Sequence, residues 1–143
     1  MVVVNRKEIA KFRKQAKLAY PNEFCAFLIG YNNKENVFID KFYIPKNQEE
    51  FATPDHIDIP SDWWEEAEDF ADDNMMIVVG FIHTHPDFSD TALSEHDTTL
   101  FTYFREFIKN PIMGIMGIWS EKDKLKTRVS FWPEYRKHNL LVK

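Results

Sequence analysis

The sequence predicts an α/β protein: a mixed central β-sheet flanked by helices. Two kinds of segment alternate along the chain, as they do in such folds. Apolar residues recur at helical spacing around residues 6–19 and 94–108, and an acidic helix is read at 62–72. Short runs rich in β-branched and aromatic residues lie between and after them, at 24–30, 37–44, 75–82, 112–119 and 126–132. At 143 residues the chain is expected to form one domain, with residues 133–143 as a C-terminal tail. A chain of this size buries roughly two-thirds of its unfolded surface, enough for a real core.

In order, Asn5 and Glu8 have the spacing of a capping box, and Ile9, Phe12, Ala16 and Ala19 recur on one helical face. Arg6, Lys7, Lys11, Arg13, Lys14 and Lys17 occupy the other face, which reads as a solvated surface. Pro21 ends the helix and Glu23 begins the first strand, whose apolar residues leave both faces covered. A turn at residues 32–35 leads to a second strand hairpinned to the first. Residues 45–60 are polar and irregular, and His56 among them reads as a surface histidine. Ser61 is placed to cap an acidic helix. Trp63 and Trp64 are adjacent there and cannot share one face, so one enters the core. The other either packs or contacts a partner protein. Residues 75–82 have the length and composition of a buried strand. Ser94 then opens a helix to about residue 108, with Leu100, Tyr103, Phe104 and Phe107 as its stripe. Residues 112–119 read as a buried strand whose glycines permit close backbone approach. Residues 121–124 read as a turn into an alternating final strand, and His138 in the tail reads as incidental.

The chemistry concentrates in Gly80-Phe81-Ile82-His83-Thr84-His85-Pro86 and Ser94-Glu95-His96-Asp97. In a strand, residues i and i+2 share a face, so His83 and His85 project side by side. Pro86 ends the strand, having no N–H for the ladder. Ser94, with Asp97 three places on, resembles a capping box, which sets Asp97 in the first helical turn. From there it can lean back toward the strand end. Two imidazoles and one carboxylate leave the fourth tetrahedral position open, the pattern of a catalytic rather than a structural zinc site. A bare His-x-His recurs by chance, but the whole string with its seven-residue spacer, Ser and Asp is far more specific. The chain has no His-Glu-x-x-His. It is too short for the (β/α)₈ barrel of roughly 250 residues that an amidohydrolase would need, and no glutamate stands where a cupin places one.

This string resembles the signature of the JAMM (MPN+) zinc metalloproteases, whose best-known members are deubiquitinases. Their upstream glutamate lies in a Pro-x-Glu-x-Cys-Gly-like context. Here the chain has Pro21-Asn22-Glu23-Phe24-Cys25-Ala26-Phe27-Leu28-Ile29-Gly30, with Ala26 where glycine is usual. The spacer 87–93 is one residue longer than is usual in the family, and it holds two further carboxylates, Asp87 and Asp90. Asp97 alone keeps the Ser-x-x-Asp spacing. The resemblance implies the JAMM/MPN core, cytidine-deaminase-like, over about residues 5–132. It implies that His83, His85 and Asp97 ligate Zn2+, that Glu23 is the general acid and base for the attacking water, and that Ser94 helps stabilise the oxyanion. The implied activity is hydrolysis of peptide or isopeptide bonds, with a ubiquitin-like modifier or its conjugate as protein substrate. A general peptidase of a phage or bacterial pathway and a non-catalytic MPN scaffold are the alternatives.

A net charge of −5 argues against non-specific binding to nucleic acid. No apolar run approaches the roughly 20 residues of a membrane span, and the first residues lack a signal-peptide h-region. The single cysteine, Cys25, allows no internal disulfide. The expectation is a cytoplasmic protein without a nucleic-acid or membrane partner.

Overall fold

The computed structural model describes residues 1–33, 35–133 and 140–142. In chain order its elements are β1 (Val2–Val4), α1 (Arg6–Ala19), β2 (Cys25–Asn32), β3 (Val37–Tyr43), α2 (Ser61–Asp73), β4 (Ile77–Pro86), α3 (Glu95–Phe104), β5 (Ile112–Glu121), β6 (Lys124–Pro133) and β7 (Leu140–Val142). The strands form one mixed sheet in the order β6-β5-β4-β2-β3-β1-β7. β4 lies inside it, antiparallel to β2 with Cys25 opposite His83, and parallel to β5 with His83 opposite Ile115. β2 and β3 form the expected hairpin.

Both faces of the sheet are covered. Alternate residues of β2 point to opposite sides, so Ala26 and Leu28 meet α1 while Cys25, Phe27 and Ile29 meet α2 and α3. On the first side Phe12 of α1 sits 5.5 Å from Phe24 and 5.9 Å from Phe42, ring centre to ring centre. On the second side Phe27, Phe81, Trp64 and Phe104 form a chain of ring contacts. Each fully buried phenylalanine stabilises the fold by about 1.5–3 kcal/mol. A Cβ on Gly80 would come within 1.9 Å of the Ile112 carbonyl oxygen, so β4 and β5 approach at a spacing that excludes any side chain there.

Several local details depart from the sequence expectation, each for a visible reason. Asn5 caps α1, its Oδ1 accepting from the Lys7 amide at 3.0 Å, but Glu8 does not close a box. Its carboxylate accepts from the Phe42 amide at 2.9 Å and fastens α1 to β3. Pro60, not Ser61, holds the cap position of α2, and Ser61 is already helical. Trp63 enters the core, while Trp64 is half-buried, stacks on Phe104 at 5.3 Å and donates to Glu68 at 2.6 Å. β4 starts at Ile77 because Met75 takes a left-handed conformation (φ 57°) and the Met76 amide returns to the Ala71 carbonyl, a Schellman-type helix end. α3 ends at Phe104 rather than near residue 108. The chain turns there, with the Phe107 and Ile108 amides both bonded to the Phe104 carbonyl, and Ile108 drops into the core. β2 starts at Cys25, leaving Glu23 just outside the ladder.

β1 and β7 are three residues each, too short to show a period in the sequence. β1 runs parallel to β3 on one side and to β7 on the other. The expected tail thus includes a strand, and His138 lies outside the described residues. No helix among the described residues is long and apolar enough to cross a membrane.

Candidate metal centre

The C-terminal end of β4 and the first turn of α3 build the centre. His83 and His85 follow Phe81 on the sheet face that α2 and α3 cover, with ring centres 4.9 Å apart. His83 is buried and His85 half-buried. Asp97 comes from a complete capping box: the Ser94 Oγ accepts from the Asp97 amide at 3.1 Å, and the Asp97 Oδ2 accepts from the Ser94 amide at 2.8 Å. The cap that starts the helix therefore also aims the carboxylate. Asp97 has no exposed surface, and its Oδ1 lies 2.5 Å from His83 Nε2 while its Oδ2 lies 3.2 Å from His85 Nε2.

The donor set fits a divalent ion. The ligand atoms of His83, His85 and Asp97 all lie within 4.8 Å of one another. Ligands at ordinary zinc distances sit about 3.4 Å apart around a tetrahedron, so the spacing needs only small side-chain adjustments. Three ligands leave one position for water or substrate.

Electrostatics ties the group together. Burial opposes charge on His83, but the carboxylates of Asp97 and Glu23 outweigh it and hold the imidazole up to about 9. As an imidazolium it donates from both nitrogens: Nε2 to Asp97, and Nδ1 to the Glu23 Oε1 at 3.3 Å. Burial pushes Asp97 the other way, yet hydrogen bonds from His83, His85 and the Ser94 amide hold it well below the usual carboxylate range. Cys25 is fully buried, and desolvation together with the Glu23 charge pushes its thiol well up. It is therefore no nucleophile at neutral pH.

Glu23 arrives from a different part of the chain, 60 residues before His83. It is nearly buried, and the β2–β4 register, continued past Cys25↔His83, sets it across from His85. Thr84, between the two histidines, fixes this end of the pairing. Its Oγ1 accepts from the Phe24 amide at 2.9 Å, and its own amide donates to the Phe24 carbonyl at 2.9 Å. Nothing in the sequence marks Thr84 for that task.

Glu23, His83, His85 and Ser94 line one cleft of about 360 Å³, walled by Pro54, Pro86, Phe88 and Leu93. The two carboxylates of the spacer have partners of their own. Asp87 accepts from the Tyr20 hydroxyl, and Asp90 stands at the cleft rim and accepts from the Ala92 amide. His56 is exposed and pairs with Asp58 at 2.6 Å. His96 also lines the cleft and faces His56 edge-on at 5.4 Å, a contact its sequence position between Ser94 and Asp97 does not disclose.

Fold and cleft together define a class: a mixed-sheet α/β protein whose strand-borne His-x-His and helix-borne aspartate form a group able to hold a metal. Residues 5–132 match the family described as prokaryotic homologs of the JAB domain, and the chain belongs to that family. Among solved structures it is similar to protein DSY2949 from Desulfitobacterium hafniense, at 18% identity and a TM-score of 0.66, over 100% of this chain and 93% of that one. It is also similar to AF2198, a JAB1/MPN domain protein from Archaeoglobus fulgidus, at 20% identity and a TM-score of 0.53, over 97% and 96%. No curated protein matches the sequence.

Proposed function

We propose that the protein is a zinc-dependent hydrolase of peptide or isopeptide bonds, acting on a ubiquitin-like modifier or its conjugate. The observation that carries this reading is the meeting of Glu23, His83 and His85 in one cleft, with Asp97 buried directly behind the two imidazoles. A purely structural metal site has no use for a carboxylate beside the ligands and an open cleft in front of them.

His83, His85 and Asp97 would hold the ion. Zinc, when bound, supplies a Lewis acid that polarises the scissile carbonyl and makes water a stronger acid. Glu23 accepts the proton as water attacks the carbonyl carbon, then returns it to the nitrogen as the C–N bond breaks, giving an acid and a free amine. The Ser94 Oγ accepts the Asp97 amide, so its own hydrogen is left to donate to the developing oxyanion. When the amine belongs to a lysine side chain, the enzyme is an isopeptidase. The modifier's tail would lie extended in the cleft, with a sheet edge as a template. The proposed setting is the cytoplasm, where a lone cysteine stays reduced.

The test uses purified protein. Metal content is measured first, and fusions and conjugates of ubiquitin-like modifiers are then offered with and without a chelator. Glu23→Gln is expected to keep the wild-type metal content and to lose turnover by 10²-fold or more, on the order of a general acid–base contribution. Full activity in that variant would refute the role given to Glu23. Equal cleavage of unrelated peptides would replace the modifier-specific reading with a general peptidase. Metal-free protein after growth in zinc would favour a scaffold.

A further inference from the structure

We infer that Gln48 is a positioning residue for Glu23. The inference rests on a gap in the sheet. β2 and β3 pair as Phe27↔Tyr43, so the same register carried two places further would put residue 45 opposite Cys25. That residue is Pro45, which has no N–H to give, and β3 ends at Tyr43. Cys25 is wholly buried at this point, and its peptide N–H and C=O face the side β3 has left. Two unpaired buried backbone groups would each destabilise the folded chain.

Gln48 fills the gap. It stands in a single 3-10 turn, Gln48–Glu50, and is 3% exposed although its surroundings in the sequence are polar. Its Oε1 accepts from the Cys25 amide at 2.9 Å, and its Nε2 donates to the Cys25 carbonyl at 2.8 Å and to the Pro45 carbonyl at 3.1 Å. A side-chain amide thus supplies the donor and the acceptor that the missing strand residue would have supplied. No other side chain of this type and length does so: a carboxylate lacks the donor, and an amine lacks the acceptor.

The consequence reaches the cleft because Cys25 is two residues from Glu23. Three successive residues tie this strand end. Glu23 donates to the Thr53 carbonyl at 3.0 Å, Phe24 pairs with Thr84, and Cys25 pairs with Gln48. The first and third ties both lead to the loop between β3 and α2, and of these two only the third is made by a side chain. Gln48 does not line the cleft, and its hydrogen bonds go to Cys25 and Pro45 rather than to the metal ligands; it acts through the backbone that presents the Glu23 carboxylate to His83. The kinetic part of this inference rests on the hydrolase reading, and the structural part does not.

Gln48→Met keeps length and volume but offers neither bond. Gln48→Glu keeps the acceptor and turns a carboxylate oxygen toward two carbonyls. In Gln48→Met the Cys25 amide is expected to exchange with solvent tenfold faster or more, on the order of losing one buried hydrogen bond, while amides in the middle of β4 keep their protection. A crystal structure is expected to show the Glu23 carboxylate beyond hydrogen-bond reach of His83 Nδ1, about 3.5 Å. Metal stoichiometry stays at the wild-type value. kcat falls on the order of 10- to 100-fold with KM unchanged, as for a catalytic group displaced by about 1 Å. On a Glu23→Gln background the same substitution changes kcat by less than about twofold, because its effect runs through Glu23. Gln48→Glu, which keeps one bond but sets a buried carboxylate oxygen against two carbonyl oxygens, is expected to move in the same direction by at least as much, and Gln48→Asn, which keeps the amide one carbon short of its partners, serves if the methionine variant does not fold. A variant structure with Glu23 still against His83 and a protected Cys25 amide overturns the inference. If the wild type cleaves nothing, the hydrolase reading fails, and the exchange and distance measurements still decide the role of Gln48.

Discussion

Without metal, His83 holds a proton between Asp97 and Glu23, and with metal it must give that proton up. Its folded pKa, about 9, lies above the ordinary 6.5. In the metal-free protein this interaction therefore adds stability that is complete below about 6.5 and is lost as pH rises through about 9. Asp97 is shifted down, so its contribution is present above the ordinary value of 3.8 and is lost as pH falls below it. Metal-free protein is thus expected to be most stable at mildly acid pH, between those two ordinary values, which urea unfolding across pH will show. Under the proposed function, zinc would compete with the proton on His83. At pH 7, binding should release close to one proton, read by calorimetry in buffers of different ionisation heat. Apparent affinity should rise about tenfold per pH unit up to about 9. Asp97→Asn is expected to abolish stoichiometric zinc binding, measured by metal analysis after dialysis. At this scale the meeting of His83, His85 and Asp97 was legible, because strand alternation places His83 beside His85 and a cap places Asp97 at a helix start. The approach of Glu23 was not. Sixty residues separate it from His83, and no local period spans that distance; a family resemblance singled it out, and the fold brings it within 3.3 Å.

The elements that present these residues are held by contacts of very different tolerance. Gly80→Ala would drive a methyl group into the Ile112 carbonyl, which is backbone and cannot swing aside. The expected cost is about 3 kcal/mol or more, the upper end for overpacking, visible as a lower urea midpoint. Ser94→Ala removes the acceptor for the Asp97 amide and should cost about 1 kcal/mol of stability through the helix cap alone. It should also weaken metal binding, since the same cap aims the carboxylate; Ser94→Thr should retain most of both. The main elements were legible from period and composition. Boundaries failed where tertiary contacts decide: Glu8 turned from its own helix to the Phe42 amide, and α3 stopped at Phe104 so that Ile108 could be buried. Gln48 gave no signal, because a polar residue in an irregular stretch looks the same whether it faces water or plugs a sheet.

For the molecule as a whole, the metal would join the end of β4 to the start of α3, two segments that otherwise meet through few side chains. A ligand that binds only the folded state at a free concentration 1,000 times its Kd adds about 4 kcal/mol. For a domain of this size that is a rise in Tm on the order of 10 °C. Thermal unfolding with zinc should show it, and chelator should reverse it; an unchanged Tm would mean that the trio does not bind metal in solution. The alternating elements foretold a mixed sheet, but the strand order was not readable, because it is set by pairings distant in sequence. β1 against β3 and β4 against β5 are both of that kind.

The spacer between the second imidazole and the aspartate is fixed at several points. The Asp87 amide donates to the Ile118 carbonyl at 2.6 Å and its carboxylate takes the Tyr20 hydroxyl; the Thr91 hydroxyl shares a hydrogen bond with Ser130, and the Trp132 indole donates to the Thr91 carbonyl. Its length is thus taken up in moorings to the residue that caps α1, to β5 and to β6, and Phe88 stands out from it into solvent at 61% exposure. Under the proposed function, an incoming polypeptide would meet a moored doorway, and discrimination would come from what fits past an exposed aromatic side chain rather than from a flap that folds shut behind it.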